Sequence, residues 1–288
     1  MTIIVTGSTG KIGSSILNNL TKLNQKVIGL SRKEIKSKLN FKNFSGDFND
    51  ESFLDKYINK DDIVIHTAAQ TSSSNKKLLF NGNEKITKKM VEVCEKQNIK
   101  MFIFFSTDLA INPVGNYGKS KENCEKLIIK SRLKNWVIYR LHPFIYDYTA
   151  DEKTNIGKIL QKVKNNKVIF LPSNGDFVIS PILEQDLNQI VNKTLKSKSS
   201  FKKIYEVHGL STTLKDLIFN YKKKINVGNT RIISIPFFMI ICACKIFMLI
   251  GFNLQLFETL LKLKSNKKKH CASIFKTLGL KILNKNFS

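Results

Sequence analysis

Arginine is scarce in this sequence. Of its 48 basic residues only four are arginine (Arg32, Arg132, Arg140 and Arg231), and the other 44 are lysine. Base and phosphate recognition on nucleic acid favours the guanidinium fork, and the lysines are scattered apart from Lys222–Lys224 and Lys267–Lys269. The net charge of +26 therefore points to anionic ligands or lipid surfaces and not to specific nucleic-acid binding. Cysteine is sparse too: five residues, an odd number, with no Cys-x-x-Cys spacing. Neither a disulfide framework nor a zinc site is suggested, no metal is expected, and a reducing cytoplasm is the simplest location. No leader peptide is expected either, because the N-terminus runs straight into a strand-like segment.

What is present is a globular composition, 42% hydrophobic and 24% charged over 288 residues. That is enough for one large domain, or for a nucleotide-binding domain and a smaller lobe. The opening stretch MTIIVTGSTGKIG organises the rest. Thr2 to Thr6 is a β-branched run typical of a strand buried on both faces. Gly7, Gly10 and Gly13 follow, and then Ile12, Ile16, Leu17, Leu20 and Leu23 recur with helical spacing. Strand, glycine turn and helix in that order form the setting of a dinucleotide site. Gly7 permits the tight turn, Gly10 lets a pyrophosphate approach, and Gly13 lets helix pack on strand. Thr9, Lys11 and Ile12 complete the candidate cofactor-binding turn.

Further strands are expected at 26–30, 42–44, 63–66 and 100–105, with a helix over 84–97 that carries Cys94 on its apolar face. Strand alternating with helix implies an α/β fold, a doubly wound parallel sheet whose ligands lie at the C-terminal strand ends. The residues at those ends are therefore informative. Where an acidic side chain would hold the adenosine ribose of NAD, the sequence has Ser31-Arg32-Lys33. Arg32 suits a 2′-phosphate, so the cofactor is read as NADP, with NAD as the alternative. Asp47 is placed to accept from an adenine amino group, or is a plain turn residue. Phe48 follows it, and Ala68 and Ala69 are small enough for a backbone to lie against the cofactor ribose.

Tyr117 and Lys121 are four residues apart and share one helix face, on a helix extending through Ile128 and towards Leu133. The spacing alone carries no weight, since seven tyrosines and 44 lysines in 288 residues make about one such match by chance. Placement supplies the weight: the pair follows a strand that ends in Ser106-Thr107. A tyrosine near ~10 is a poor base at neutral pH until a nearby ammonium stabilises its phenolate. Tyr117 is thus the candidate acid–base group, with Lys121 as its charge partner and Thr107 orienting the reacting oxygen.

TGSTGKIG, the Ser106-Thr107 pair and YGKSK at 117–121 together resemble the extended short-chain dehydrogenase/reductases, above all the nucleotide-sugar epimerase/dehydratase branch. Asn83 to Thr87 looks like that branch's Asn-x-x-x-Thr. Arg140 to Pro143 is similar to its Arg-Pro element with a histidine inserted. Segments 170–187 and 205–217 are similar to its later elements, so the resemblance covers roughly residues 1–230. It implies a Rossmann domain at 1–145 and a substrate lobe at 146–288, some of whose elements return to the sheet. It also implies hydride transfer on a nucleotide-sugar substrate, with Phe177, Ser180 and Gln185 as lining candidates. The loop between Thr107 and Tyr117 is shorter than in most members. Asp108 is a single acid with no neighbouring Glu, which is also the reductase pattern, and Ser106-Thr107-Asp108 is similar to the dTDP-4-dehydrorhamnose reductases. Epimerisation or reduction is therefore favoured over dehydration. The alternatives are a catalytically inactive NADP-sensing protein on the same fold, or an oxidoreductase acting on a lipid alcohol.

The last strong feature is FFMIICACKIFMLIGF, read as a helix capped by Ser234 with Pro236 in its first turn. It is apolar all round except for Lys245, so it is expected to be buried or at a lipid interface. It is short for a membrane span. A peripheral membrane contact through it and a homodimer stay open as further partners.

Overall fold

The computed structural model describes residues 1–34, 41–70, 80–113, 115–145, 155–165, 168–197, 201–226, 230–249 and 273–281. They divide into two compact units, the first made of residues 1–141 and 190–206, the second of 142–189 and 207–288.

The first unit is a seven-stranded sheet with strand order β11-β6-β5-β4-β1-β2-β3. Its elements are β1 (Ile3–Thr6), α1 (Lys11–Lys22), β2 (Val27–Ser31), β3 (Lys42–Ser45), α2 (Glu51–Tyr57), β4 (Ile63–His66), α3 (Ile86–Lys96), β5 (Met101–Thr107), α4 (Asn116–Ile129), β6 (Trp136–Leu141) and β11 (Lys202–Val207). Each pairing from β3 across to β6 is parallel, which buries both faces and accounts for the unbroken apolar runs of β1 and β5. All seven residues of β5 are buried. Ile4, Val64, Phe102, Phe104 and Ile138 from the strands share one core with Phe48, Leu54, Met90 and Cys94. The fold is the α/β Rossmann-like sheet the sequence implies.

Several local expectations change. The helix expected over 84–97 opens with a π turn at Asn81–Lys85 and becomes α3 at Ile86. α4 stops at Ile129, leaving Leu133 buried beyond its end. α2 is absent from the sequence reading. It is a short helix whose N-cap Asp50 accepts from the Ser52 amide at 2.9 Å.

The second unit contains β7 (Phe144–Ile145), α5 (Asn155–Asn165), β8 (Val168–Pro172), β9 (Val178–Ile179), β10 (Ile182–Leu183), β12 (Thr212–Thr213), α7 (Leu214–Lys224), β13 (Arg231–Ile235), α8 (Phe237–Leu249) and α9 (Ser273–Thr277). The chain crosses from the second unit back into the first along α6 (Glu184–Lys196). β8 and β13 form a five-pair parallel ribbon. Its inner residues Ile169 and Leu171 pack with Leu160, Leu217, Ile218 and Tyr221. Ser234 is not a helix cap: it lies in β13, opposite Leu171. The alternating run Arg231–Ile235 pairs as a strand, and Pro236, with no N–H to extend the ladder, ends it. α8 starts after that proline, whose carbonyl accepts from Met239 N at 3.0 Å.

Candidate active site

The site residues of the first unit gather at the C-terminal ends of β1, β2, β4 and β5. The strand order reverses there between β1 and β4, which is where open α/β sheets hold ligands. In the β1–α1 turn Gly7 adopts φ +71, and a Cβ on it would sit 2.7 Å from Ala68 N. The turn closes through Gly10 N donating to Gly7 O at 2.8 Å. Gly10 is the N-cap of α1, no side chain caps that end, and its first turn has no acidic residue. The positive end of the helix is thus presented to an anion. Thr9 is exposed at the mouth, with Lys11 and Ile12 half-buried beside it. These features fit a dinucleotide pyrophosphate.

Ser8 Oγ donates to Asn43 Oδ1 and Asn43 Nδ2 to Ser31 Oγ at 2.9 Å, tying the turn to β3 and the end of β2. Beyond Ser31, Arg32 is exposed, its Nη2 3.5 Å from Gln70 Oε1. Asp47 is exposed, and its Oδ1 accepts from both the amide and the side chain of Asn49 at 2.9 Å. Those two bonds hold the carboxyl below its ordinary range. Phe48 is buried in the core, so only its backbone is available to a ligand. Ala68 and Ala69 are half-buried along the loop after β4.

Two polar networks hold this loop and α4 in place. Asn83 Oδ1 accepts from Gln70 N at 2.7 Å, while its Nδ2 donates to Gln70 O at 3.1 Å and to Ser120 Oγ at 2.8 Å. Ser120 Oγ in turn donates to Tyr117 O at 2.8 Å. Beneath it, buried His66 hydrogen-bonds Thr6 Oγ1 at 2.7 Å and Thr87 Oγ1 at 3.2 Å. Burial, then the Lys121 charge, pulls its imidazole down to about 3. In a second network Glu125, 2% exposed, accepts from Ser106 Oγ at 2.5 Å and from Arg140 Nε at 3.0 and 3.1 Å. A buried carboxylate is tolerable only with such partners.

Thr107 is buried at the last position of β5. Its hydroxyl donates to Asp108 Oδ1 at 3.2 Å and accepts from Leu109 N at 3.3 Å. In the first turn of α4, half-buried Tyr117 has its phenol pushed above its ordinary range, by burial first and then by Cys124 and Asp108. Lys121 is 2% exposed with Nζ 4.1 Å from the centre of the Phe104 ring, a favourable ammonium–aromatic geometry. Burial lowers its ammonium to about 8 against the opposing pull of Cys124 and Glu125. Gly118 lets the two segments meet: a Cβ there would come 2.3 Å from Leu109 O.

Residues 3–132 match the model of the NAD dependent epimerase/dehydratase family. An uncharacterized membrane protein of Methanocaldococcus jannaschii is 34% identical over 145 residues, 46% of this chain and 44% of its own length. The dTDP-D-glucose 4,6-dehydratase of Dictyostelium discoideum is 28% identical over 219 residues, 60% of this chain and 50% of its own. The chain therefore spans about half the length of these two curated relatives. Among solved structures, the UDP-glucose 4-epimerase of Thermotoga maritima with UDP-glucose superposes with a TM-score of 0.70 at 18% identity, covering 82% of this chain and 86% of that one. That likeness is one of fold.

In the stretch that matches the family model, the glycine turn, Ala68 and Thr107 lie at the C-terminal ends of the sheet strands, and Tyr117 and Lys121 lie in the first turn and a half of α4. The second-unit candidates are described separately: Ser180 is buried and hydrogen-bonds Ser211 Oγ at 2.8 Å, and Phe177 packs on the second core. His66, Glu125 and Arg140 carry the support of the site and were not read as part of it. The sequence signals for them are a histidine ending an apolar strand, a glutamate one helical turn after Lys121, and the Arg-Pro-like element that begins at Arg140.

Proposed function

We propose that the chain epimerises or reduces a carbon of a nucleotide-activated sugar with NAD(P), using Tyr117 as acid–base group, Lys121 as its charge partner and Thr107 to orient the reacting oxygen. The observation that carries this reading is the burial of Lys121 on α4, one helical turn from Tyr117, at the sheet end where Thr107 finishes β5 and the glycine turn opens α1.

When bound, a nicotinamide ring supplies the acceptance and return of a hydride. The residues of the chain handle the proton. Desolvation keeps Tyr117 protonated across the neutral range, so it is a ready donor in the reductive direction. Lys121, lowered to about 8, is still mostly an ammonium at pH 7 and stabilises the phenolate left when the proton goes. Thr107 is held by Asp108 and Leu109 N, which leaves its oxygen in one orientation toward a substrate hydroxyl or carbonyl. Asp108 followed by Leu109, a single acid with no neighbouring Glu, supports epimerisation or reduction over dehydration. Arg32 and Lys33, both exposed after β2, support NADP. The nucleotide-sugar class is supported by the family and by the UDP-glucose named in the Thermotoga structure.

Tyr117→Phe is the test, assayed on UDP-, GDP- and dTDP-sugars with both cofactors. Turnover should fall by at least about 100-fold, while cofactor affinity, read by fluorescence titration, stays within error. Retained turnover removes Tyr117 from the mechanism. A wild-type chain that binds cofactor yet turns over none of the three series would instead favour a cofactor sensor.

A further inference from the structure

We infer that the outer face of the β8–β13 ribbon together with α8 is a docking surface for an anionic phospholipid bilayer, on which the protein lies without crossing. The surface starts at the ribbon. Parallel pairing sets Val168 beside Arg231 and Phe170 beside Ile233 on its outward face, where Phe170 is 62% exposed and Val168 and Ile233 are exposed too. Pro172 and Ile235 finish that row, and the chain passes through Pro236 directly into α8. At ~100° per residue, Lys245, Phe238, Cys242, Ile246, Met239 and Ala243 follow one another around roughly 160° of the helix. All six are exposed, with Phe238 at 67%, Ile246 at 60% and Met239 at 52%. An ordinary surface helix turns its polar side outward. Here the outward side is apolar, with one lysine at its edge.

The charge around this face identifies the occupant. Lys222, Lys223 and Lys224 end α7, and Lys222 Nζ donates to Thr230 O at 2.9 Å, at the foot of β13. Arg231 stands in the outward row and Lys245 borders the helix face. The described residues of the second unit hold eleven lysines and arginines against four acidic residues. A second copy of the chain would bring the same excess of positive charge to the contact, whereas an anionic leaflet attracts it. An apolar face rimmed by cations is the pattern that settles into the headgroup layer. Spanning takes about 20 apolar residues, and no described helix is long and apolar enough to cross a membrane.

Vesicle flotation of the full chain tests this, with phosphatidylcholine alone and with phosphatidylcholine plus phosphatidylglycerol. The protein should float with the mixed vesicles, and added salt should weaken binding by about tenfold or more, as screening of the cationic rim requires. Phe238→Glu with Ile246→Glu should abolish flotation while leaving cofactor affinity intact, since neither residue belongs to the catalytic site. Should that pair disturb folding, Lys222, Lys223 and Lys224 changed to Gln should lower binding without touching the apolar face. Failure to float with the mixed vesicles overturns the inference. So does light scattering that shows a dimer which Ile246→Glu dissolves, because the face would then belong to a second copy.

Discussion

At the scale of single residues, burial moves the titration ranges of His66, Tyr117 and Lys121 away from their ordinary values. His66 has the clearest measurable consequence. Its folded value lies near 3 against an ordinary 6.5, because it is buried beside Lys121. Below pH 6.5 the unfolded chain takes up a proton that the folded chain refuses, so stability falls as the pH drops from 6.5 toward 3. The slope from this residue is about 1.4 kcal/mol per pH unit. Urea midpoints measured at pH 7 and pH 5 should show the loss, and His66→Gln, which has no such proton to gain, should show a shallower dependence. An identical slope in that variant would assign the acid sensitivity elsewhere. Lys121 behaves in the opposite sense for function. It is charged below about 8, so the support proposed for the Tyr117 phenolate should fade above that pH.

At the scale of elements, the close approach of α4 to the Asp108–Leu109 turn determines where Thr107 lies relative to Tyr117. Gly118→Ala places a methyl 2.3 Å from the Leu109 carbonyl oxygen, a backbone atom that can yield only if the turn moves. Overpacking of this kind costs about 1–3 kcal/mol. Turnover should drop at least about tenfold, because small misplacements of reacting groups are expensive. Cofactor affinity, proposed to rest on the β1–α1 turn, should change little. Unchanged turnover would show that the turn adapts.

The strands between 3 and 107 were legible because parallel strands buried on both faces read as apolar runs, and glycines punctuate them. α2 was not, since its only large apolar residues are Phe53, Leu54 and Tyr57 in seven positions. β13 was misread because Ser234-Ile235-Pro236 looks like a helix cap, and the pairing with β8 that decides otherwise joins residues about 60 apart. Tyr117 and Lys121 stood out through their placement just after the strand that ends in Ser106-Thr107, which the linear order of the chain shows. The Ser106–Glu125–Arg140 and Asn83–Ser120 links did not, because tertiary folding alone brings those residues together.

At the scale of the whole molecule, the lysine excess opposes compaction everywhere. A net charge of +26 outweighs the surface ion pairs, such as Lys96 with Glu51 and Asp55, each worth about 0–1 kcal/mol. Adding salt from about 20 to about 200 mM shortens the Debye length to about 8 Å or less. It should therefore raise Tm in a thermal scan; a fall would mean that attraction and not repulsion dominates the surface.

The position of β11 also bears on how the protein is made. β6 ends at Leu141, but its outer neighbour begins only at Lys202, and Trp136 N waits for the Phe201 carbonyl at 2.8 Å. At about 5–20 residues per second on the ribosome, those sixty residues take roughly 3–12 s. For that interval a strand containing Trp136, Val137, Ile138 and Tyr139 has a bare edge, the kind that recruits other nascent chains. Slowing translation between codons 142 and 201 should therefore increase aggregation at birth, while the finished protein would be unaffected.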